Sequence, residues 1–492
     1  MSEQTLDEIW EEDLLGRRAD GVYLQRFIEN AYRLDTAHQN SFVLNINSEW
    51  GSGKTWFLER FAKQLKKNHP VVYFDAWKND FTNDPLTSLI AVICQSMQEQ
   101  FSSDSKAKEK LASVKKSAFK FIKPSLPVVL AALVKHYSGV ALLEEDTEES
   151  EVDTTRSDSD DLLIQDLSSS LTKVAASEAM NSFYKEKEGI EQFIKALQSF
   201  VVHIDSVSTK TNLPICIFID ELDRCRPTYA IELLEAVKHI FSINGLFFII
   251  ATDSKQLAHS INAVYGQNFN SSAYLKRFFY TEYSLSSVDH KKMAKHLFSG
   301  IDLQDRVYLP ASYSDQLGLA GYFALNSAFF QLTPREQEQV FVNFKNCILS
   351  SDETVIHFAY ILFLLSLKLK HEDVYEGLMH NNNAQVFNDF MKYKGAGASA
   401  VGLTLASNTS SHSDLQSPKT LNVKDIFNFY SNLRNKNYEQ LIDVNADSLF
   451  KKEIKLQFKK ERDSTNRNYE EIIGISNYFF LITQAGRLIG KI

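Results

Sequence analysis

The residues best suited to chemistry are Ser48-Glu49-Trp50-Gly51-Ser52-Gly53-Lys54-Thr55. An apolar run, Ser41 to Asn47, precedes them and a helix-forming stretch, Trp56 to Leu65, comes after. Small residues at Gly51, Ser52 and Gly53 let consecutive backbone N–H groups curl round an anion, and the helix N-terminus behind them adds its dipole. In such a loop Lys54 would reach the β- and γ-phosphates of a nucleotide, and the Thr55 hydroxyl would ligate Mg2+. Ser48 stands where such loops usually begin with glycine, and a small residue can make that turn.

A second constellation is Ile217-Phe218-Ile219-Asp220-Glu221-Leu222-Asp223-Arg224, an apolar run ending in paired acids. As a strand it delivers Asp220 beside the phosphate loop to hold the Mg2+ shell, with Glu221 as general base on the attacking water. Asp223, Arg224 and Arg226 read equally as structural ion pairs. Thr252 and Asp253 close another apolar strand and either sense the γ-phosphate or cap the strand end. Thr333-Pro334-Arg335-Glu336 reads as a helix start, with Thr333 as N-cap, Pro334 at N1 and Glu336 at N3. Arg277 reads either as a surface base or as an arginine finger offered to a neighbouring subunit.

These residues need a scaffold. Ser41–Asn47, His69–Trp77, Pro214–Ile219 and Gly245–Thr252 are short apolar runs that predict strands. Helical spacing is expected over Asp20–Tyr32, Trp56–Leu65, Pro85–Phe101, Ile190–Ile204 and Ile231–Phe241. Alternating strands and helices predict an α/β fold, a parallel sheet covered by helices on both faces. Ser102 to Glu188 breaks the pattern and is expected to be an inserted helical and acidic segment. Beyond Leu285 the strand signals stop, and helices are expected at Lys292–Phe298, Gln316–Phe330, Pro334–Asn346 and Thr354–Lys370. The resulting division is an N-terminal helical segment (1–40), a core (41–290) with an insert at 102–188, and a helical lid-like domain (291–393). A Gly/Ser-rich linker or loop (394–420) and a helical C-terminal segment (421–492) complete it.

Together these motifs resemble the KAP family of P-loop NTPases. Glu49 to Thr55 is similar to that family's tryptophan-containing phosphate loop. Phe74-Asp75-Ala76-Trp77-Lys78 resembles its phenylalanine–x–alanine–tryptophan strand, with Asp75 where Asn is usual. Asp220 to Pro227 resembles its acidic signature, with Glu221 where a second Asp often stands. Tyr274-Leu275-Lys276-Arg277 looks like its tyrosine–leucine–x–lysine motif, with Arg277 for lysine. The resemblance spans about Asp13 to Lys345. It implies a P-loop NTPase sheet binding ATP and Mg2+ through Trp50, Gly51, Ser52, Gly53, Lys54 and Thr55, with Thr55 and Asp220 on the metal. It further implies that Asp253 and Arg335 face the nucleotide, Arg335 resembling the lid-helix arginine of AAA-like ATPases, and that Leu15-Gly16-Arg17 is similar to an adenine-side loop. Bacterial members are linked to phage exclusion, so a role in antiviral defence is implied.

Family members often carry membrane helices between the loop and the acidic strand. Here Leu126 to Val134 is only nine apolar residues before Lys135 and His136, and a bilayer crossing needs about 20. No stable membrane span is expected, and a hairpin that packs on a partner or another subunit is the favoured reading. The net charge of −9 does not exclude nucleic acid. Residues 144–166 hold eleven acids and one base, Arg156, a local −10 that leaves the rest of the chain near +1. Residues 451–467 form a basic run containing Lys451, Lys452, Lys455, Lys459, Lys460, Arg462 and Arg467, with Phe450 and Phe458 interleaved; it reads as a solvated helix face or a nucleic-acid stripe. Four cysteines without metal spacing and an N-terminus without an apolar h-region predict a cytoplasmic protein.

The sequence therefore predicts an intracellular Mg2+-dependent ATPase whose nucleotide state controls assembly or partner binding through the insert and the C-terminal half. Two alternatives stay open. One is an ATP-bound scaffold without turnover, and the other is a DNA-associated ATPase working through 451–467.

Overall fold

A computed structural model describes residues 4–34, 42–82, 84–119, 188–206, 213–240, 243–286, 288–303, 305–353, 355–381, 389–390, 423–465, 467–471 and 473–487. The acidic run 144–166, the apolar run 126–143 and the Gly/Ser-rich stretch 394–420 lie outside these residues. The described residues form two compact units. One lies within Met1–Glu11, Arg17–Glu49 and Lys54–Ser286, the other within Glu12–Gly16, Trp50–Gly53 and Ser287–Ile492.

The first unit is built on five parallel strands: β1 (Phe42–Asn47), β2 (Val71–Asp75), β3 (Ile215–Asp220), β4 (Leu246–Thr252) and β5 (Thr281–Ser284), in the order β2-β3-β4-β1-β5. Period-two alternation assigns the two faces. Phe42, Leu44, Ile46, Phe218, Phe247 and Ile249 pack against α1 (Leu6–Ile9), α2 (Arg17–Leu34) and α3 (Lys54–Leu65). Val43, Val72, Phe74, Ile217, Phe248 and Ile250 pack on the other side. There they meet α5 (Pro85–Gln100), α6 (Ser105–Phe119), α7 (188–206), α8 (Pro227–Ile240) and α9 (Ser254–Tyr265). The short α4 (Ala76–Asn79) leaves the end of β2, so Trp77 is helical rather than part of the strand. The four strands read from the sequence are present, and β5 joins them as an edge strand.

Helix α6 lies at the start of 102–188, where a helical insert is expected. Its buried Ala107, Leu111, Val114 and Ala118 recur at helical spacing. Lysines at 106, 108, 110, 115 and 116 surround that stripe and dilute the signal.

The second unit is helical. Helices α11 (His290–Phe298), α12 (Ala311–Phe330), α13 (Pro334–Ser350), α14 (Phe358–Lys370), α16 (Val423–Leu433), α18 (Leu449–Thr465) and α19 (Tyr478–Ala485) enclose one apolar core. Two shorter helices, α15 (Glu372–Asn381) and α17 (Gln440–Asp443), also lie in this unit, and α10 (Ser271–Leu275) belongs to the first unit. Strand structure does not stop at Leu285, because Val307–Tyr308 pairs in parallel with Ile356–His357. Helix α12 begins at Ala311 rather than Gln316 and kinks at Gly318, whose φ is 64°. Among the described residues no helix is long and apolar enough to cross a membrane.

The start of α2 is fixed by a buried ion pair in the first unit. The Arg17 guanidinium lies 3.4 Å from Asp20 Oδ2 and also donates to the Ser286 carbonyl. Asp20 accepts from Tyr283 Oη at 2.7 Å and from the Ser286 hydroxyl, which joins α2 to the segment after β5. Breaking a buried pair strands its partner charge and costs about 3–5 kcal/mol. Arg17→Ala and Asp20→Ala should each lower stability by about that amount in urea unfolding. The double variant should lose less than the sum, whereas strict additivity would show that the two side chains act separately.

Candidate functional site

In the first unit, chemistry gathers at the C-terminal ends of β1, β3 and β4. Strand β4 separates β1 from β3 in the sheet, yet α3 closes the gap because its first turn starts at Lys54. From that turn Thr55 Oγ1 donates to Glu221 Oε1 at 2.9 Å. The structure thus brings together three residues picked from the sequence, Lys54, Thr55 and Glu221, with Asp220 beside them. Lys54 Nζ donates to the Ser48 carbonyl, and Ser48 N donates to the Thr252 carbonyl at 3.1 Å. Burial pulls the Lys54 pKa below the usual lysine value, against the opposing pull of Asp223, Asp253, Glu221 and Asp220.

Asp220 is buried, and both of its oxygens are engaged. Tyr73 Oη donates to Oδ2 at 2.7 Å and Glu221 N donates to Oδ1 at 2.8 Å. Burial pushes the Asp220 carboxyl above the ordinary carboxylate range, opposed by these hydrogen bonds and by Thr55. Glu221 moves in the same direction, again chiefly through burial, with the Thr55 bond opposing. Glu221 holds a left-handed backbone conformation, φ 59° and ψ 27°, unusual for a residue with a Cβ. Strain of this kind is a feature of functional turns.

Thr252 and Asp253 are engaged locally. Thr252 Oγ1 donates to Asn45 Oδ1 at 2.9 Å, within a buried network in which Asn45 also donates to Ser254 and Glu282. Asp253 accepts from the Lys255 and Gln256 amides as the N-cap of α9, while still contributing to the field at Lys54. Arg277 is exposed just beyond α10. Arg17, read as part of an adenine-side loop, is spent on Asp20 and Ser286.

In the second unit, Gly51 and Gly53 have φ of 78° and 85°, the left-handed conformation that glycine adopts freely. A Cβ on Gly51 would stand 3.0 Å from Arg335 Cβ and 3.1 Å from Thr333 Oγ1, and one on Gly53 would stand 2.7 Å from Leu15 Cδ1. Thr333 and Glu336 form the capping box expected at the start of α13, and Arg335 N approaches the Gly51 carbonyl at 3.4 Å. Arg335 and Trp50 are exposed, and Ser52 is buried.

The basic run 451–467 is largely committed within the second unit. Lys451 pairs with Asp447 and Arg467 with Glu353, while Lys455 donates to the Ile442 and Val444 carbonyls. Arg462 pairs with Asp463 and lies 4.0 Å from the Tyr469 ring centroid. Phe458 is buried and stacked on His357 at 4.2 Å, which removes it as a platform for a base. Lys452, Lys459 and Lys460 remain exposed.

Tyr73 is a site residue that sequence reasoning misses. Alternation places Tyr73 and Asp75 on one face of β2, but only the pairing of Tyr73 with Phe218 shows that its phenol reaches Asp220. Tyr73→Phe removes that donor while keeping the ring. On the expectation that Asp220 holds Mg2+, such an outer hydrogen bond is worth roughly ten- to a hundredfold in metal affinity. Titrating Mg2+ against protein and a fluorescent ATP analogue should therefore shift the midpoint up by about tenfold; an unmoved midpoint would show that Asp220 does not need Tyr73.

A family model described as the KAP family P-loop domain matches residues 26–347. No curated protein matches the chain. The family match covers more than half of the 492 residues and encloses both the loop 48–55 and the acids Asp220 and Glu221. Its P-loop domain is a nucleotide-binding domain, set here on a five-stranded parallel sheet. The protein belongs to the KAP family of P-loop NTPases.

Proposed function

We propose that this protein is a Mg2+-dependent ATPase whose nucleotide state controls its assembly or its binding to a partner. The observation that carries the reading is the 2.9 Å hydrogen bond between the Thr55 hydroxyl and Glu221. A loop residue suited to metal binding and a carboxylate suited to water activation thereby share one spot, beside a half-buried lysine. The residues fit the group: Thr55 and Asp220 would hold Mg2+, with hard oxygen donors of the kind it prefers. Bound there, the ion supplies charge neutralisation at the β- and γ-phosphate oxygens.

The chain's own residues supply the rest. Lys54 exchanges the Ser48 carbonyl for phosphate oxygens, and the backbone N–H groups at the start of α3 bind the remainder. Glu221 orients a water and takes its proton as the new bond to the γ-phosphorus forms and the bond to the ADP oxygen breaks. Its raised proton affinity brings it closer to the operating pH, where a general base works best. Arg277, exposed just beyond the short α10, is the charge we assign as an arginine finger offered to a neighbouring copy. A place in antiviral defence rests on the family resemblance alone. DNA binding through 451–467 draws less support, because most of that run is paired and Phe458 is buried.

Glu221→Gln should keep ATP bound and lower phosphate release by about 10²–10⁴-fold, the usual contribution of a general base. Lys54→Ala should abolish ATP binding itself. Phosphate release that survives Glu221→Gln unchanged would contradict hydrolysis at this site and favour the scaffold reading.

A further inference from the structure

Glu221 is held at both ends. Its Oε1 accepts from Thr55, while its Oε2 accepts from Arg224 Nε at 2.7 Å. The Arg224 guanidinium in turn lies 5.7 Å from the centre of the Trp77 ring, within cation–π range. Trp77 is 55% exposed in α4, directly after the edge strand β2, although tryptophan is on average a highly buried residue. Two sequence motifs about 150 residues apart, the Trp77 strand end and the Asp220-Glu221-Leu222-Asp223-Arg224 turn, therefore meet through one guanidinium.

The turn between them makes this geometry specific. Glu221 begins a 3-10 turn, Leu222–Arg224, and Arg224 N donates to the Glu221 carbonyl at 3.2 Å. Arg224 is thus folded back over the residue it holds. The next arginine, Arg226, has a different task. It donates to Asp80 and to the Thr82 carbonyl, anchoring the turn to the segment after α4.

We propose that Arg224 is a positioning residue for hydrolysis, gripping Glu221 Oε2 so that Oε1 faces the Thr55 hydroxyl, and that the Trp77 indole braces Arg224 in that position. The proposal rests on the ATPase reading above and adds to it the device that aims the base. When Thr55 turns to its ligand, Oε1 is released for water while Oε2 stays anchored. A carboxylate without that anchor rotates about its terminal torsion, which is broad and poorly defined by sterics. An arginine with a planar guanidinium fixes it better than a lysine with a rotating ammonium.

The test is steady-state ATP turnover by the full chain, with ATP affinity measured separately in the same variants. Arg224→Ala should lower kcat by about ten- to a hundredfold, as lost outer hydrogen bonds to an active-site group do. KM and ATP affinity should stay within about threefold, because Arg224 acts on Glu221 and not on the nucleotide. Arg224→Lys should recover part of the loss, and Trp77→Ala should lie between wild type and Arg224→Ala. Glu221→Gln is the companion measurement. If wild type turns over, Glu221→Gln does not, and Arg224→Ala matches wild type in kcat, the positioning role is overturned and the ATPase reading stands. A kcat loss in Arg224→Ala that is matched by an equal loss of ATP affinity, or by lost thermal stability that Arg224→Lys and Trp77→Ala share, also overturns it. If wild type shows no turnover that depends on Glu221, both the ATPase reading and the inference fail together.

Discussion

A buried carboxylate has to be satisfied, and the end of β3 sets two acids side by side, Asp220 buried and Glu221 partly so. Much of the first unit is arranged around that constraint. Tyr73 on the neighbouring strand and the Glu221 amide satisfy Asp220; Thr55 and Arg224 satisfy Glu221. These donors come from separate elements, so the site exists only when β2, β3 and α3 are in register. A leaving donor exposes a charge in a poorly hydrated spot, at a cost well above that of an ordinary surface hydrogen bond. The same geometry makes the acids sensitive to an arriving ligand: a phosphate or cation that takes Thr55 changes the hydrogen bonding of Glu221 directly.

The sheet explains why these residues can be so far apart in the chain. Strand β4 lies between β1 and β3, and its own polar end is tied down separately. Asn45 sits fully buried in mid-strand and accepts from Thr252, while Glu282 on β5 takes amide protons from both Asn45 and Asn47. This network occupies the face opposite Tyr73 and Asp220, since Thr252 shares the face of Ile250 and Phe248. One end of the sheet thus carries two polar clusters on opposite faces, with the acids on the α3 face and the amides on the other.

Much of this was legible in the sequence, for definite physical reasons. Strands such as Ile215–Asp220 are buried on both faces, so they read as continuous apolar runs. The loop 48–55 needs small residues and a lysine in fixed order, and Thr333-Pro334-Arg335-Glu336 announces a helix start by local chemistry alone. The hidden features depend on pairing across long separations. Strand Thr281–Ser284 is half exposed and too polar to announce itself, and Val307–Tyr308 and Ile356–His357 are two residues each. Tyr73 could be placed on Asp220, and Arg17 on Ser286, only once strand order was known. The basic run 451–467 shows the same limit: the sequence leaves its phenylalanines unplaced, and His357 stacks on Phe458 in the core. A charge pattern records composition and not which face of a helix points inward.

In the proposed function, Thr55 and Asp220 assemble a Mg2+-dependent nucleotide site beside Lys54. Isothermal titration of ATP, with and without Mg2+, into wild type and Thr55→Ala tests it most directly. ATP binding to wild type should tighten by at least about tenfold with Mg2+, and that gain should vanish in Thr55→Ala while the fold is kept. ATP binding that ignores Mg2+, or a Mg2+ gain that survives loss of the Thr55 hydroxyl, would contradict it.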